Sequence, residues 1–216
     1  MAFAEAQQPG DPVAAPRKRR RRTPDEARRE ILDAASALLR ERPAHEVTVI
    51  AIMARTTLSR KSFYVYFRDR ADLLASLVAP LRVEADATLR RWSEATDSVP
   101  AGRAAFRSAA LLYREHGVIL RALAEASQRD AEATEVWRQV IEPVVTVATQ
   151  TIVNATAAGQ SRGLDPESTA RALVSMNVHY LFDEVVAKPD ADIDAVVATI
   201  VAVWERTIYL RQPSAR

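Results

Sequence analysis

The chain has 216 residues and a formal net charge of +2, and 48% of its residues are hydrophobic while 27% are charged. This length and composition suit a globular protein with a sizeable core and exclude disorder over the whole chain. The chain contains no cysteine and three histidines, which excludes disulfides and cysteine-ligated metals, and we expect neither a metal nor a cofactor.

No apolar run approaches the roughly 20 residues that cross a bilayer, and the N-terminus lacks the apolar segment of a secretory signal. We therefore expect a soluble, cytoplasmic protein without a membrane partner.

The N-terminal 22 residues form a basic arm. Residues 1–16 are rich in Ala, Gln and Pro, and they precede a run of six cations that includes Arg19, Arg20, Arg21 and Arg22. Like charges repel, so we expect residues 1–22 to be disordered in isolation. The arm is either a solubilising extension or a segment that lies along phosphates or enters a minor groove.

The distribution of charge favours a polyanionic partner. Residues 1–72 contain 15 Lys and Arg against 10 Asp and Glu, a net of +5, whereas residues 73–216 contain 15 against 18, a net of −3. A basic end on a mildly acidic protein is typical of proteins that bind nucleic acid.

The first helix is expected to begin after Thr23, where Pro24 and Glu26 complete a capping-box pattern, and to end before Pro43. Its apolar residues recur at helical spacing and are Ile31, Ala34, Ala35, Leu38 and Leu39.

Two short helices are predicted next. Thr48 can cap one that runs to about Arg55, residues 56–58 form a turn, and Ser59 can cap a second that runs to Phe67. The alternative is a strand over residues 47–52, which are rich in β-branched residues. The preceding stretch is helical and offers no partner strand, which favours a helix-turn-helix.

The second short helix has two different faces. Phe63 and Phe67 share one face and can anchor the helix to a core. The outward face and its flanks carry Arg60, Lys61, Ser62, Tyr64, Val65 and Tyr66. Such a helix fits a major groove about 12 Å wide, where Arg and Lys donate to guanine and Val meets a thymine methyl. The alternative is an ordinary solvated basic turn.

The residues of this region resemble the DNA-binding domain of the TetR family of transcriptional regulators. The resemblance covers residues 28–77 and rests on Thr48, Val49, Ile52, Ser59, the Phe63-Tyr64-x-Tyr66-Phe67 element, Arg70, Asp72, Leu73 and Leu74. It implies that Thr48, Ser59, Tyr64 and Arg70 also contact double-stranded DNA. The usual glycine of the turn is replaced by Thr56, Thr57 and Leu58, so we expect an altered or strained turn.

The resemblance implies an all-α fold with two domains, a three-helix DNA-binding domain over residues 23–75 and a helical ligand-binding and dimerisation domain over residues 76–216. A helix over residues 68–94 would connect them, with Pro80 kinking or splitting it. The remaining helices are predicted over 101–116, 118–127, 131–158, 166–187 and 191–210, and Gly117 separates the first two.

Two C-terminal segments carry a second likeness, namely Ala172 to Asn177 with Leu181 and Phe182, and Val203 to Tyr209. They resemble the ethionamide-resistance subgroup of this family. The likeness implies that Phe106, Tyr113, Asn177 and Trp204 line a long apolar tunnel, in which Asn177 is the polar group. The aromatic residues Trp137 and Tyr180 extend the candidate ligand site. The alternative is that the aromatics are plain core and that Asn177 only bonds a neighbour.

A homodimer is expected from the last two helices. Their apolar stripes are Leu173, Val174, Asn177, Tyr180 and Leu181 on one helix, and Val196, Val197, Ile200, Trp204 and Ile208 on the other. Pairing these stripes between two chains would form a four-helix bundle.

The sequence thus predicts a ligand-responsive transcriptional regulator, most simply a repressor that binds a palindromic operator as a homodimer and is released by a mostly apolar small molecule. A basic-armed adaptor for an acidic protein or RNA is the alternative. An enzyme is not supported, because no G-x-S-x-G element or glycine-rich phosphate loop is present.

Overall fold

The computed structural model describes residues 23–161 and 163–210. The prediction of an all-α fold is confirmed, since the only extended pairing in these residues is an isolated bridge between Ser161 and Tyr209. The α-helices of the described residues are α1 (Pro24–Glu41), α2 (Val49–Ala54), α3 (Arg60–Tyr66), α4 (Arg70–Ser93), α5 (Ser98–Ser127), α6 (Ala131–Ala157), α7 (Pro166–Leu181) and α8 (Ile193–Ile208). A 3₁₀ turn (Ala44–Glu46) precedes α2, and a π-helix (Phe182–Val186) follows α7.

Local capping explains where the N-terminal helices begin. Thr23 and Glu26 form the predicted capping box, in which the Thr23 side chain accepts from the Glu26 amide at 3.2 Å and Glu26 accepts from the Thr23 amide at 2.9 Å. The Thr48 hydroxyl accepts from the Ala51 amide at 3.2 Å. The strand interpretation of residues 47–52 is therefore wrong, because the cap directs this β-branched segment into a helix.

The turn between α2 and α3 is held without a glycine. The Thr56 hydroxyl donates to the Met53 carbonyl at 2.9 Å and accepts from the Leu58 amide at 3.3 Å. The Thr57 amide donates to Glu30 of α1 at 2.6 Å. No described residue other than glycine has a positive φ angle, so the expected backbone strain does not occur.

Ser59 precedes α3 as predicted but does not cap it through its side chain. Its hydroxyl lies 2.9 Å from the Ser62 hydroxyl instead of bonding a backbone amide. The Ser62 hydroxyl competes with the backbone amides for the Ser59 side chain. A capping pattern in the sequence does not show which of the two partners is bound.

The predicted break at Gly117 is wrong, since α5 continues through this residue from Ser98 to Ser127. A Cβ atom at Gly117 would lie 2.1 Å from Cγ2 of Val186. The glycine therefore allows the π-helix to approach α5 closely, and this close contact, not a break in the helix, explains the glycine at this position. Pro80 likewise does not split α4, which continues to Ser93.

The buried residues form one continuous cluster that runs from Ile31 in α1 to Tyr209 after α8. α4 contributes at both ends of this cluster. Leu73 and Leu74 are buried near its beginning and Trp92 near its end. α4 thus joins the helix-turn-helix to the larger helical part. No helix in the described residues is long and apolar enough to cross a membrane.

Candidate nucleic-acid interface and ligand cavity

The outward face of α3 is exposed and the opposite face is buried. Val65 is 75% exposed and Tyr64 is 59% exposed, whereas Phe63 and Phe67 are buried. Arg60 and Lys61 are exposed in the first turn of the helix. The predicted arrangement of the two faces is therefore present in the structure, with two cations and an apolar side chain facing solvent.

Arg28 fixes α3 relative to its neighbours. Its guanidinium lies 5.0 Å from the centre of the Phe67 ring, and it donates to the Ser76 hydroxyl of α4 at 2.7 Å. The Phe63 and Phe67 rings pack on each other with centres 5.5 Å apart. A cation over an aromatic face and a charge-assisted hydrogen bond both restrict the position of a short helix.

A bidentate ion pair joins α1 to the C-terminus of α2. Arg55 donates to the two oxygens of Glu41 at 3.0 and 2.6 Å. This hydrogen bonding lowers the pKa of the exposed Glu41 carboxyl. The pair and the bond from Thr57 to Glu30 hold the turn that positions α3.

The other predicted DNA-binding residues differ in their surroundings. The Thr48 hydroxyl caps α2, the Ser59 and Ser62 hydroxyls bond each other, and Tyr66 is half-buried. Arg70 is half-buried and donates to the Ala44 carbonyl of the 3₁₀ turn, and burial lowers its pKa. Arg19, Arg20, Arg21 and Arg22 lie outside the described residues.

Ile50 is an exposed residue that the sequence interpretation omitted. It lies in α2 and is 59% exposed, while its neighbour Ile52 is buried. Two residues that are two positions apart lie on opposite faces of a helix. Once residues 47–52 are taken as a helix, the sequence therefore predicts that Ile50 is exposed if Ile52 is buried.

A cavity of about 140 Å³ lies between α4, α5, α6 and α7, and we call it the ligand cavity. Phe106, Tyr113 and Asn177 line it, as the resemblance implied. Burial raises the pKa of Tyr113 well above its usual value, so this hydroxyl stays neutral. The Asn177 carbonyl oxygen accepts from Trp204 Nε1 at 3.1 Å.

Trp137, Tyr180 and Trp204 do not line the ligand cavity. Trp204 is buried behind Asn177, and Trp137 stacks on Phe182 with ring centres 6.5 Å apart beside a surface groove. Aromatic residues at helical spacing were assigned to one site, but these rings belong to different helix contacts. Trp204 borders a smaller neighbouring cavity that Phe106 also lines, and the assignment of Trp137, Tyr180 and Trp204 to the ligand site stays a prediction.

Much of the cavity wall comes from α4, the helix that was predicted to connect the two domains but whose residues were not named as ligand-site candidates. These lining residues recur at helical spacing and are Val78, Leu81, Ala85, Leu89 and Trp92. Arg82 also lines the cavity and donates to Gln139 of α6 at 2.9 Å. The apolar stripe of α4 could be recognised in the sequence, but the sequence did not show that this stripe faces a cavity shared with α5, α6 and α7.

The faces predicted to form a dimer are largely used within one chain. Buried members of the two predicted stripes are Leu173, Val174, Leu181, Val196, Ile200, Trp204 and Ile208. The assignment of these residues to a dimer contact is therefore wrong, because they pack in the core of their own chain. α8 instead exposes a face that carries Ala195, Ala198, Thr199 and Val203, and the exposed Asp194 and Arg206 lie towards its two ends.

Comparisons with known proteins match both parts of the chain. Residues 31–77 match the family model of bacterial regulatory proteins of the tetR family. Residues 102–210 match the C-terminal domain of the transcriptional regulator EthR. The HTH-type transcriptional regulator EthR of Mycolicibacterium smegmatis is 30% identical over 210 residues, which cover 90% of this chain and 92% of that protein.

Solved structures share the fold. NalD, the secondary repressor of the MexAB-OprM multidrug efflux pump in Pseudomonas aeruginosa, superposes with a TM-score of 0.70 at 18% identity over 88% of this chain and 98% of that chain. SmeT, the repressor of the Stenotrophomonas maltophilia multidrug efflux pump SmeDEF, has a TM-score of 0.64 at 22% identity over 88% and 96% of the two chains. SmeT has also been solved as a complex with triclosan. These relatives are transcriptional regulators, not enzymes.

Proposed function

Because this chain belongs to the TetR family of transcriptional regulators, we propose that it is a repressor that binds a palindromic operator as a homodimer and is released by a mostly apolar small molecule. The observation that carries this proposal is the position of α4. Its first turns bury Leu73 and Leu74 beside the helix-turn-helix, and its later turns line the ligand cavity with Leu81 and Trp92. The domain boundary lies within this helix, near residue 75.

α3 reads the operator in the major groove. Arg60 and Lys61 donate to base edges, and Val65 contacts a thymine methyl. Thr48, Ser59, Ser62, Tyr64 and Tyr66 contact phosphates and set the register of the protein on the duplex. Arg70 also contacts a phosphate, and its bond to the Ala44 carbonyl orients the side chain beside the helix-turn-helix. The arm, with Arg19 to Arg22, adds contacts to the backbone or a minor groove.

The exposed faces of α7 and α8 form the dimer contact. α8 presents Ala195, Ala198 and Val203, and small side chains allow two helices to approach closely. A two-fold dimer places two recognition helices on half-sites about 34–36 Å apart, or a multiple of that distance. One short helix reads only a few base pairs, so the second copy supplies the remaining specificity.

Ligand binding acts through the volume of the cavity. At about 140 Å³ the ligand cavity is near the size that accepts benzene, and it is smaller than the roughly 300–1,000 Å³ of most ligand pockets. A larger effector therefore has to displace lining side chains, several of which belong to α4. This displacement moves the helix-turn-helix that α4 holds and changes the spacing of the two recognition helices. The complex of SmeT with triclosan, in a protein of the same fold, supports a small-molecule effector.

Selection of genomic fragments followed by sequencing tests this function. Wild-type protein should enrich a palindromic sequence, and footprinting should protect both half-sites. Lys61→Ala should lose about 1–3 kcal/mol of binding to that sequence and relax base preference there. Lys188→Ala is the matched control, because Lys188 follows the π-helix and pairs with Glu184 at 2.7 Å. Fragments without a shared palindrome would instead indicate an adaptor that binds polyanions.

A further inference from the structure

Trp92 has a buried indole N–H without an acceptor. The side chain is 4% exposed, and its Nε1 atom has no hydrogen-bond partner among the described residues. The neighbouring Trp204 differs, because its Nε1 donates to Asn177 at 3.1 Å. Buried Trp N–H groups usually have a partner, and each exception requires an explanation.

Trp92, Phe106 and Trp204 form an aromatic cluster whose ring centres are 5.5, 5.9 and 4.9 Å apart. We call a second, smaller cavity of about 30 Å³ the end cavity. Trp92 and Phe106 line both the ligand cavity and the end cavity. A volume of this size holds a water molecule or one terminal oxygen of a larger molecule.

The edge of the indole that carries Nε1 lies on the side of the end cavity. A Cβ atom at Gly102 would lie 3.3 Å from both Nε1 and Cε2 of Trp92, and Gly102 lines the end cavity but not the ligand cavity. The Nε1 atom is fully buried, so an acceptor oxygen reaches it when a bound effector displaces the neighbouring side chains. The lack of a side chain at Gly102 removes one obstacle on this edge of the ring.

The polar groups around the end cavity define which atom fits there. The hydroxyls of Ser98 and Tyr209 line it and lie 3.4 Å apart. The Glu205 carboxylate also lines it and accepts from Arg103 Nε at 2.8 Å. Arg103 is the only cation among the described residues that line the end cavity, and it already pairs with Glu205. An anionic group of a ligand would therefore be repelled by the Glu205 carboxylate with no free cation to balance its charge.

We propose that Trp92 Nε1 donates a hydrogen bond to a neutral acceptor oxygen of the effector. The hydrocarbon body of the effector occupies the ligand cavity, and its ketone, ester or ether oxygen passes the aromatic cluster and enters the end cavity. This inference rests on the proposed function, since it assigns a chemical class to the effector of the same regulator. Trp92 is then a residue that determines ligand specificity.

The test compares 2-octanone with 2-methyl-1-octene, in which a methylene group replaces the carbonyl oxygen. The chain has three Trp residues, so a ¹⁵N-labelled sample gives three indole N–H signals that Trp→Phe variants assign. Both compounds should shift the methyl signals of Leu112 and Val178, which line the ligand cavity. Only the ketone should move the Trp92 indole proton downfield. The ratio of its affinity to that of the alkene, which we call the preference for the ketone, should be about three- to tenfold higher in wild type than in Trp92→Phe, since this comparison cancels the different cost of removing the two compounds from water.

Two variants and one control separate the roles of the ring and of its N–H. Trp92→Phe should lower the preference for the ketone by that factor, because it removes the N–H donor. Gly102→Ala keeps Trp92, favours the helix and places a methyl group 3.3 Å from Nε1, so it should reduce the same preference. Trp137→Phe should retain both the preference and the Trp92 shift, because Trp137 lines neither cavity.

Two outcomes would contradict the inference. The first contradicts only the role of Trp92, and the second also contradicts the effector site. If both compounds shift the cavity methyl signals but Trp92→Phe leaves the preference for the ketone unchanged, or if the Trp92 signal does not move with the ketone, the assignment of Trp92 is wrong and the ligand cavity stands. If neither compound shifts those methyl signals, the effector site itself is wrong, and the inference fails with it.

Discussion

Gly117→Ala tests whether the close approach of the π-helix to α5 limits stability. The new Cβ atom would lie 2.1 Å from Cγ2 of Val186 and 3.2 Å from both its Cβ and its Cγ1. Because all three atoms are close, rotation of the valine cannot relieve the contact, and the backbone has to move. Overpacking of this kind costs about 1–3 kcal/mol.

An opposing effect reduces this cost, because Ala is favoured over Gly in a helix interior by about 0.5–1 kcal/mol. With overpacking near the upper end of its range, the net loss in free energy of unfolding is about 1–2 kcal/mol. For a chain of this size each kcal/mol lowers Tm by about 2–4 °C. The variant should therefore melt about 2–8 °C below wild type.

Urea unfolding followed by circular dichroism measures this loss, at one protein concentration because dimer dissociation would couple to unfolding. Gly102→Ala is the matched control in the same helix, where the nearest side-chain contact is 3.3 Å, and it should be neutral or slightly stabilising. In a Val186→Ala background, Gly117→Ala should cost about 1–2 kcal/mol less. A Gly117→Ala protein as stable as wild type, or strictly additive effects, would refute this packing argument.

Three further outcomes are expected. Removal of residues 1–22 should leave a folded protein whose operator affinity depends less steeply on salt, with the slope falling by about 0.9 for each phosphate that the arm neutralises in the full-length protein; an unchanged slope would mean that the arm does not touch DNA. Ala198→Glu on the exposed face of α8 should convert dimers to monomers in sedimentation velocity, whereas Glu94→Ala outside that face should not; a dimer that survives the new charge would exclude this contact. Thr48→Ala removes the cap of α2 and should cost about 1 kcal/mol of stability in thermal unfolding, and an unchanged Tm would show that the cap is dispensable.

The N-terminal part of the fold could be predicted because its signals are local. The capping box at Thr23, the cap at Thr48 and the shared face of Phe63 and Phe67 each depend on residues less than two turns apart. Such signals specify helix boundaries and faces directly. The exposed cations of α3 follow from the same spacing, so this face could be assigned before its surroundings were known.

The remaining features depend on partners that are distant in the chain. Gly117 was predicted to end a helix because the local sequence does not show that Val186, 69 residues later, packs against it. Leu173 and Ile200 have the spacing of a contact face, but spacing does not distinguish a contact with the same chain from one with a second copy. Trp137 and Trp204 lie on different helices, and only the packing of those helices decides which cavity or groove each ring borders. Ser59 is a different case, because the hydroxyl that replaces its capping bond belongs to Ser62, only three residues away.

The affinity of a bound effector, measured by calorimetry with and without operator DNA, tests the coupling through α4 most directly. A ligand that weakens operator binding tenfold corresponds to about 1.4 kcal/mol of coupling, and linkage requires the operator to weaken that ligand by the same factor. A hit from a thermal-shift screen of apolar compounds should therefore bind the free protein about tenfold more tightly than the DNA complex. Equal affinities for the two forms would contradict the account, because the cavity would then bind ligands without controlling DNA.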